Sequence, residues 1–145
     1  MPEMTTNLDE ALKFFCDNLV TPKWDALMDL LAEDAVMEFP YHLPGFPEKL
    51  RGKREIVPYF DLLKDRITIN EVRLVTTHKT DDPNVVILEA VGKGHAVQTG
   101  HNYEPKYITV LTFRNGLIVH WKDYLNPFTV LIALGGTIAL PMAEA

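Results

Sequence analysis

The segment with the clearest chemical potential is Ile118-Val119-His120-Trp121-Lys122-Asp123-Tyr124. In an extended chain successive side chains alternate between faces, so Asp123 points the same way as Trp121, Val119 and Leu117. An aspartate among apolar side chains loses hydration, and its pKa rises unless something pairs with it. A carboxylate tuned in this way suits general acid or base work. The other reading is an aspartate near a strand end, hydrogen-bonded or solvated. His42, in Tyr41-His42-Leu43-Pro44, brings an imidazole, a side chain suited to proton transfer near neutral pH. His42 and Asp123 are therefore expected as a catalytic pair, set against a solvent-facing loop histidine. Tyr41, Tyr59 and Tyr107 can each donate a hydroxyl to a developing oxyanion, or can pack with that hydroxyl satisfied.

Other chemistries find no support in the residues. The chain contains no serine, which rules out a serine nucleophile. It has no glycine-rich phosphate loop, dinucleotide fingerprint, Cys-x-x-Cys or His-Glu-x-x-His. The histidines at 42, 78, 95, 101 and 120 are scattered singly, so no metal site is expected. Cys16 lies among Phe14, Phe15 and Leu19 and reads as a buried structural thiol. A net charge of −6 disfavours nucleic acid and anionic membranes as partners. Lys49, Arg51, Lys53 and Arg54 read as a solvated loop and helix start, or as a site for an anion. Met1–Asn7 lacks the basic and apolar regions of a signal peptide. The apolar stretch 128–140 is broken by Gly135 and Gly136 and is shorter than the roughly 20 residues a membrane span needs. A cytoplasmic location is the expectation.

The elements that would position these groups follow from periodicity. With 47% apolar and 23% charged residues in 145, the chain fits a single folded domain, 1–145. Asn7 and Glu10 form a capping box for a first helix, with Leu8, Ala11, Leu12, Phe15 and Leu19 on one face. Thr21-Pro22 starts a second, with Trp24, Leu27, Met28 and Leu31 buried. Ala35–Phe39 is extended and runs into a proline-rich loop. A third helix spans about 53–64, and Pro58 is expected to kink it or delay its start. From residue 67 the period changes to two. Strands are expected over 67–75 with a bulge near Asn70, over 85–97, over 103–113 as one unit, and over 117–125. Asn115-Gly116 is the strongest hairpin signal. Asn126-Pro127 caps a short apolar helix that lies over the pocket mouth or against another subunit. Helices followed by antiparallel hairpins give an α+β fold.

Val36-Met37-Glu38-Phe39-Pro40, Arg51-Gly52-Lys53, Phe113-Arg114-Asn115-Gly116-Leu117-Ile118 and Trp121-Lys122-Asp123-Tyr124-Leu125-Asn126-Pro127 together resemble SnoaL-like proteins. These belong to the NTF2-like superfamily, with ketosteroid isomerase, polyketide cyclases and limonene epoxide hydrolase. The resemblance implies a cone in which N-terminal helices pack on a curved, mostly antiparallel sheet enclosing a pocket. It also implies a homodimer through the outer sheet face, a small hydrophobic ligand and no cofactor. Met37, Phe39, Tyr41, Tyr59, Tyr107 and Trp121 are then expected to contact the ligand. Asp123 looks like the pocket carboxylate of the epoxide hydrolases. Their arginine and second aspartate fall near Ala90 and Gly92, and their tyrosine and asparagine near Met37 and Phe39, so that activity is disfavoured. The ketosteroid isomerase base precedes a proline on the early strand, where this chain has Phe39 before Pro40. What the resemblance leaves is cofactor-independent proton transfer, by an isomerase or aldol-type cyclase, on a small hydrophobic carbonyl compound. The alternative is a non-catalytic binding protein.

Overall fold

The structure is a computed structural model that describes residues 8–141; the expected Asn7 cap lies outside the described residues. Helix α1 (Leu8–Asp17) buries Leu12, Phe15 and Cys16 and leaves Phe14 exposed, as its apolar spacing requires. Burial, with the Asp17 charge adding to it, pushes the Cys16 thiol up to about 11, so it packs as an inert hydrophobe. Pro22 sits in a single 3-10 turn, Thr21–Lys23, which leads into α2 (Trp24–Met28). The expected second helix ran on to Leu31. Instead Leu31 opens strand β1 (Leu31–Glu38). That strand pairs in parallel with β7 (Leu117–Tyr124), Leu31 opposite Ile118 and Met37 opposite Trp121. Tertiary pairing overrides a local helical pattern that had no cap to end it.

Part of the proline-rich loop also becomes strand. Lys49–Arg51 forms β2, antiparallel to β1, where the sequence suggested only loop and helix start. Gly52, with φ of 78°, turns the chain into α3 (Lys53–Leu63). The helix runs through Pro58 without starting late. Pro58 is on the exposed side, where the carbonyl that loses its donor can bond water.

Strands β3 (Ile67–Lys79), β4 (Val85–Ala96), β5 (Asn102–Tyr103) and β6 (Lys106–Arg114) complete a sheet ordered β2-β1-β7-β6-β4-β3, with β5 paired to β4. The expected bulge appears as a register shift between Ile69 and Glu71. The single strand expected over 103–113 is split at Glu104-Pro105, because proline cannot donate to the ladder. Asn115 and Gly116 take φ of 53° and 80°, the left-handed pair a tight hairpin needs. The result is the NTF2-like cone: N-terminal helices packed on a curved, largely antiparallel half-barrel.

One irregularity in the last hairpin fixes the site. Phe113 pairs with Ile118, but Thr112 pairs with His120, so Val119 is an extra residue in β7. The bulge carries Ile118 to the inside, where it is fully buried, and leaves Leu117 and Val119 only partly buried. Alternation had grouped Leu117 and Val119 with Asp123 and put Ile118 opposite; both assignments are corrected by this bulge. Trp121 and Asp123 keep their common face. Helix α4 (Pro127–Ala133) is capped as expected, with the Asn126 side chain accepting from the Phe128 amide at 3.0 Å. None of the described helices is long and apolar enough to cross a membrane.

Candidate active site

The cone encloses a cavity of about 110 Å³, several times the ~10–15 Å³ that one water needs. The helices supply Phe15, Trp24, Tyr59 and Phe60, and the sheet supplies Met37, Ala90, Tyr107, Thr109, Trp121 and Asp123. Asp123 is 8% exposed and is the sole carboxylate among the described lining residues; none of these is lysine or arginine. The register of β6 and β7 sets Thr109 directly across from it. The Thr109 hydroxyl donates to Asp123 Oδ1 at 2.7 Å, and Trp121 Nε1, two residues back on the same face, donates to the same oxygen at 3.0 Å. No buried side-chain nitrogen or oxygen among the described residues lacks a partner. Oδ2, which takes neither of these bonds, therefore opens onto the cavity.

Burial pushes the Asp123 carboxyl up to about 6, against the hydrogen bonds from Thr109 and Trp121 that favour its charged form. Both of these partners are neutral. The carboxylate is therefore held in place without being neutralised, and it titrates close to neutral pH. Tyr59 is pushed up to about 12, mainly by burial and then by the Asp123 charge. Burial likewise raises Tyr103 and Tyr107, which share a side-chain hydrogen bond. All three phenols stay protonated; the bond between Tyr103 and Tyr107 uses one of their two protons, which leaves Tyr59 and one of that pair able to donate.

The expected ligand contacts Met37, Phe39, Tyr41, Tyr59, Tyr107 and Trp121 all line this cavity. Tyr41 does so from the rim, largely exposed and edge-on to Tyr124 at 5.6 Å. His42 lies at the exposed mouth of the same cavity. The hydrogen-bond partners of Asp123 are Thr109 and Trp121 rather than His42. Thr109 and Tyr103 were not singled out from the sequence. Both share the parity of Tyr107, which is a legible signal, but Pro105 hides the continuity for Tyr103. The bulge at Val119 hides the pairing for Thr109. The segment after β7 forms part of the mouth, since Pro127 and Val130 line the cavity and the Thr99 hydroxyl ties down the Ala133 carbonyl at 2.6 Å.

A family model for the SnoaL-like domain matches residues 12–121. The chain belongs to the SnoaL-like domain family. The SnoaL-like protein is 34% identical over 128 residues to the uncharacterized protein YesE of Bacillus subtilis, covering 88% of this chain and 87% of that one. It is 35% identical over 111 residues to the uncharacterized PhzA/B-like protein PA3332 of Pseudomonas aeruginosa, covering 77% and 78%. A solved Bacillus subtilis structure, described provisionally as an isomerase, superposes with a TM-score of 0.83 at 33% identity, covering 91% of this chain and 95% of that one. Structures under isomerase, polyketide cyclase and epoxide hydrolase descriptions share the fold at lower identity. The SnoaL-like protein carries apolar or small residues at the four positions expected of an epoxide hydrolase: Met37, Phe39, Ala90 and Gly92.

Proposed function

We propose that the SnoaL-like protein catalyses cofactor-independent proton transfer on a small, neutral, hydrophobic carbonyl compound. The observation that carries this reading is Asp123: buried, held through one oxygen by neutral donors, and open to an apolar cavity through the other. Asp123 Oδ2 takes a proton from the carbon beside the carbonyl. The C–H electron pair becomes the enolate double bond, and charge moves to the carbonyl oxygen. The oxyanion donor is the Tyr59 hydroxyl, joined by the proton that the Tyr103–Tyr107 pair keeps free. Return of the proton from Asp123 to a different carbon gives an isomer. Attack of the enolate on a second carbonyl, with the Asp123 proton passing to the new alkoxide, closes a ring. Either route returns Asp123 to its starting state. His42, at the mouth, is assigned proton exchange with solvent and contact with the outer end of the substrate, together with Tyr41. The apolar residues Met37, Phe39 and Trp121 bind the substrate body.

Neutral substrates fit the charge balance. The cavity holds one negative charge, first on Asp123 and then on the enolate, and no lysine or arginine among the described lining residues would compensate a second. The test is solvent deuterium incorporation into a panel of cyclic ketones and 1,3-diketones, followed by NMR. Asp123→Asn should slow exchange by about 10²–10⁴-fold, the usual range for a general base, and His42→Gln by less than about tenfold. Binding of the same ketones without any exchange would instead leave the protein a ligand carrier. A homodimer through the outer sheet face, where Ile87, Ile108 and Val110 lie, is part of the same proposal. Light scattering at micromolar concentration checks it.

A further inference from the structure

The helix-side wall of the cavity is almost wholly aromatic. Trp24 and Phe60 meet edge-on with centroids 5.1 Å apart, Phe60 lies 5.8 Å from Trp121, and Trp121 lies 5.0 Å from Phe15. Tyr59 continues the wall from Phe60 at 6.0 Å to Phe39 at 5.8 Å. Asp123 lines the same cavity, beside Trp121 on β7, with its Oδ2 unspent. Ring faces carry negative potential and attract a cation within about 6 Å of the centroid. An uncompensated carboxylate in the same enclosure attracts it more strongly still. The net charge of −6 adds a long-range pull of the same sign.

Hydrogen-bond capacity narrows the class of cation. A primary ammonium brings three N–H donors into a site whose strong acceptor is one carboxylate oxygen, and burying the other two unpaired is unfavourable. A tertiary ammonium has one N–H, and a quaternary ammonium has none. Their alkyl groups spread the charge, are weakly hydrated, and pack on rings.

We propose that the cavity binds a small tertiary or quaternary ammonium ion, its charge paired with Asp123 Oδ2 and its alkyl groups against the aromatic wall. This site does not depend on the proton-transfer reading. The same carboxylate serves either ligand, so such a cation competes with a carbonyl substrate.

The titratable groups facing Asp123 across the cavity are Tyr59 from α3, Tyr103 from β5, Tyr107 from β6 and His42 from the β1–β2 loop. The buried tyrosines stay neutral through the neutral pH range, and His42 is at the exposed rim. Ionisation of Asp123 therefore governs cation affinity, which is present above its pKa and lost below it.

The experiment measures binding of four probes to the full chain by calorimetry and tryptophan fluorescence. The probes are choline, N,N-dimethylethanolamine, ethanolamine, and 3,3-dimethylbutan-1-ol, the uncharged isostere of choline. At pH 7.5 the two methylated cations should bind at least about tenfold tighter than both ethanolamine and the isostere. Their affinity should fall about tenfold by pH 5, one unit below the Asp123 value of about 6, while that of the isostere stays level. In Asp123→Asn the preference for choline over the isostere should disappear. Equal affinity for choline and its isostere in the wild-type protein overturns the proposal, and so does a preference that survives in Asp123→Asn. Should that variant fail to fold, the wild-type pH series decides alone, with a flat series rejecting the site. Absence of deuterium exchange in ketones leaves these outcomes unchanged, so the two proposals fail separately.

Discussion

At the scale of single residues, Asp123 is governed by two opposed effects. Burial favours the neutral carboxyl, and the Thr109 and Trp121 donors favour the carboxylate; burial is the larger, and the group settles at about 6. Removing one donor should tip the balance further. Thr109→Val takes away the 2.7 Å bond at nearly constant volume, so the Asp123 pKa should rise above its present value. For a general base the rate rises as pH climbs through the pKa. The midpoint of the pH–rate profile should therefore move upward in Thr109→Val, with the high-pH plateau less affected. An unchanged midpoint would mean that another group is titrating. Ionisation of Asp123 can also be followed by carboxyl carbon NMR, which reads the same shift without any substrate.

At the scale of elements, the bulge at Val119 matters most. Pairing from the Asn115-Gly116 turn with no extra residue would bring Lys122, not Asp123, opposite Thr109. One inserted residue shifts the remainder of β7 so that Thr109 meets Asp123 and Leu111 meets Trp121. Inserting one alanine between His120 and Trp121, with the bulge kept, should set Lys122 opposite Thr109 and turn Trp121 and Asp123 away from the core. An unpaired lysine would then be buried and a tryptophan exposed. The expected outcome is loss of cooperative thermal unfolding, seen by circular dichroism. A native-like melting curve would show that β7 tolerates either register. Helix α4 makes a milder case. Asn126→Ala removes the cap on the Phe128 amide, which should cost about 1 kcal/mol. Amide exchange should speed up in 127–133 before it does in the sheet.

At the scale of the whole molecule, the site is a source of instability. The Asp123 pKa is 3.8 without the fold and about 6 within it, so the folded state holds this proton more tightly than the unfolded one. Its contribution favours folding below pH ~4 and is lost as pH rises through about 6. Shifts of this size correspond to roughly 2–3 kcal/mol. Asp123→Asn should therefore melt higher than the wild-type protein at pH 7.5, and the two melting temperatures should draw together toward pH 4. A variant less stable at neutral pH would show that the carboxylate is better compensated than its neutral partners suggest.

The α+β order, the apolar face of α1, the Asn115-Gly116 hairpin and the Asn126 cap were legible because each depends on local φ preferences or a local period. So was the shared face of Trp121 and Asp123, since two residues of one strand separated by one must agree. Leu31 was misassigned to a helix, β2 was missed and Thr109 went unseen, because pairing with strands distant in the chain decided all three. Alternation determined that Trp121 and Asp123 go together. Which way they go was decided only in the tertiary structure: a single extra residue exchanges the two faces of a strand, and nothing in the alternating pattern marks Val119 as that residue.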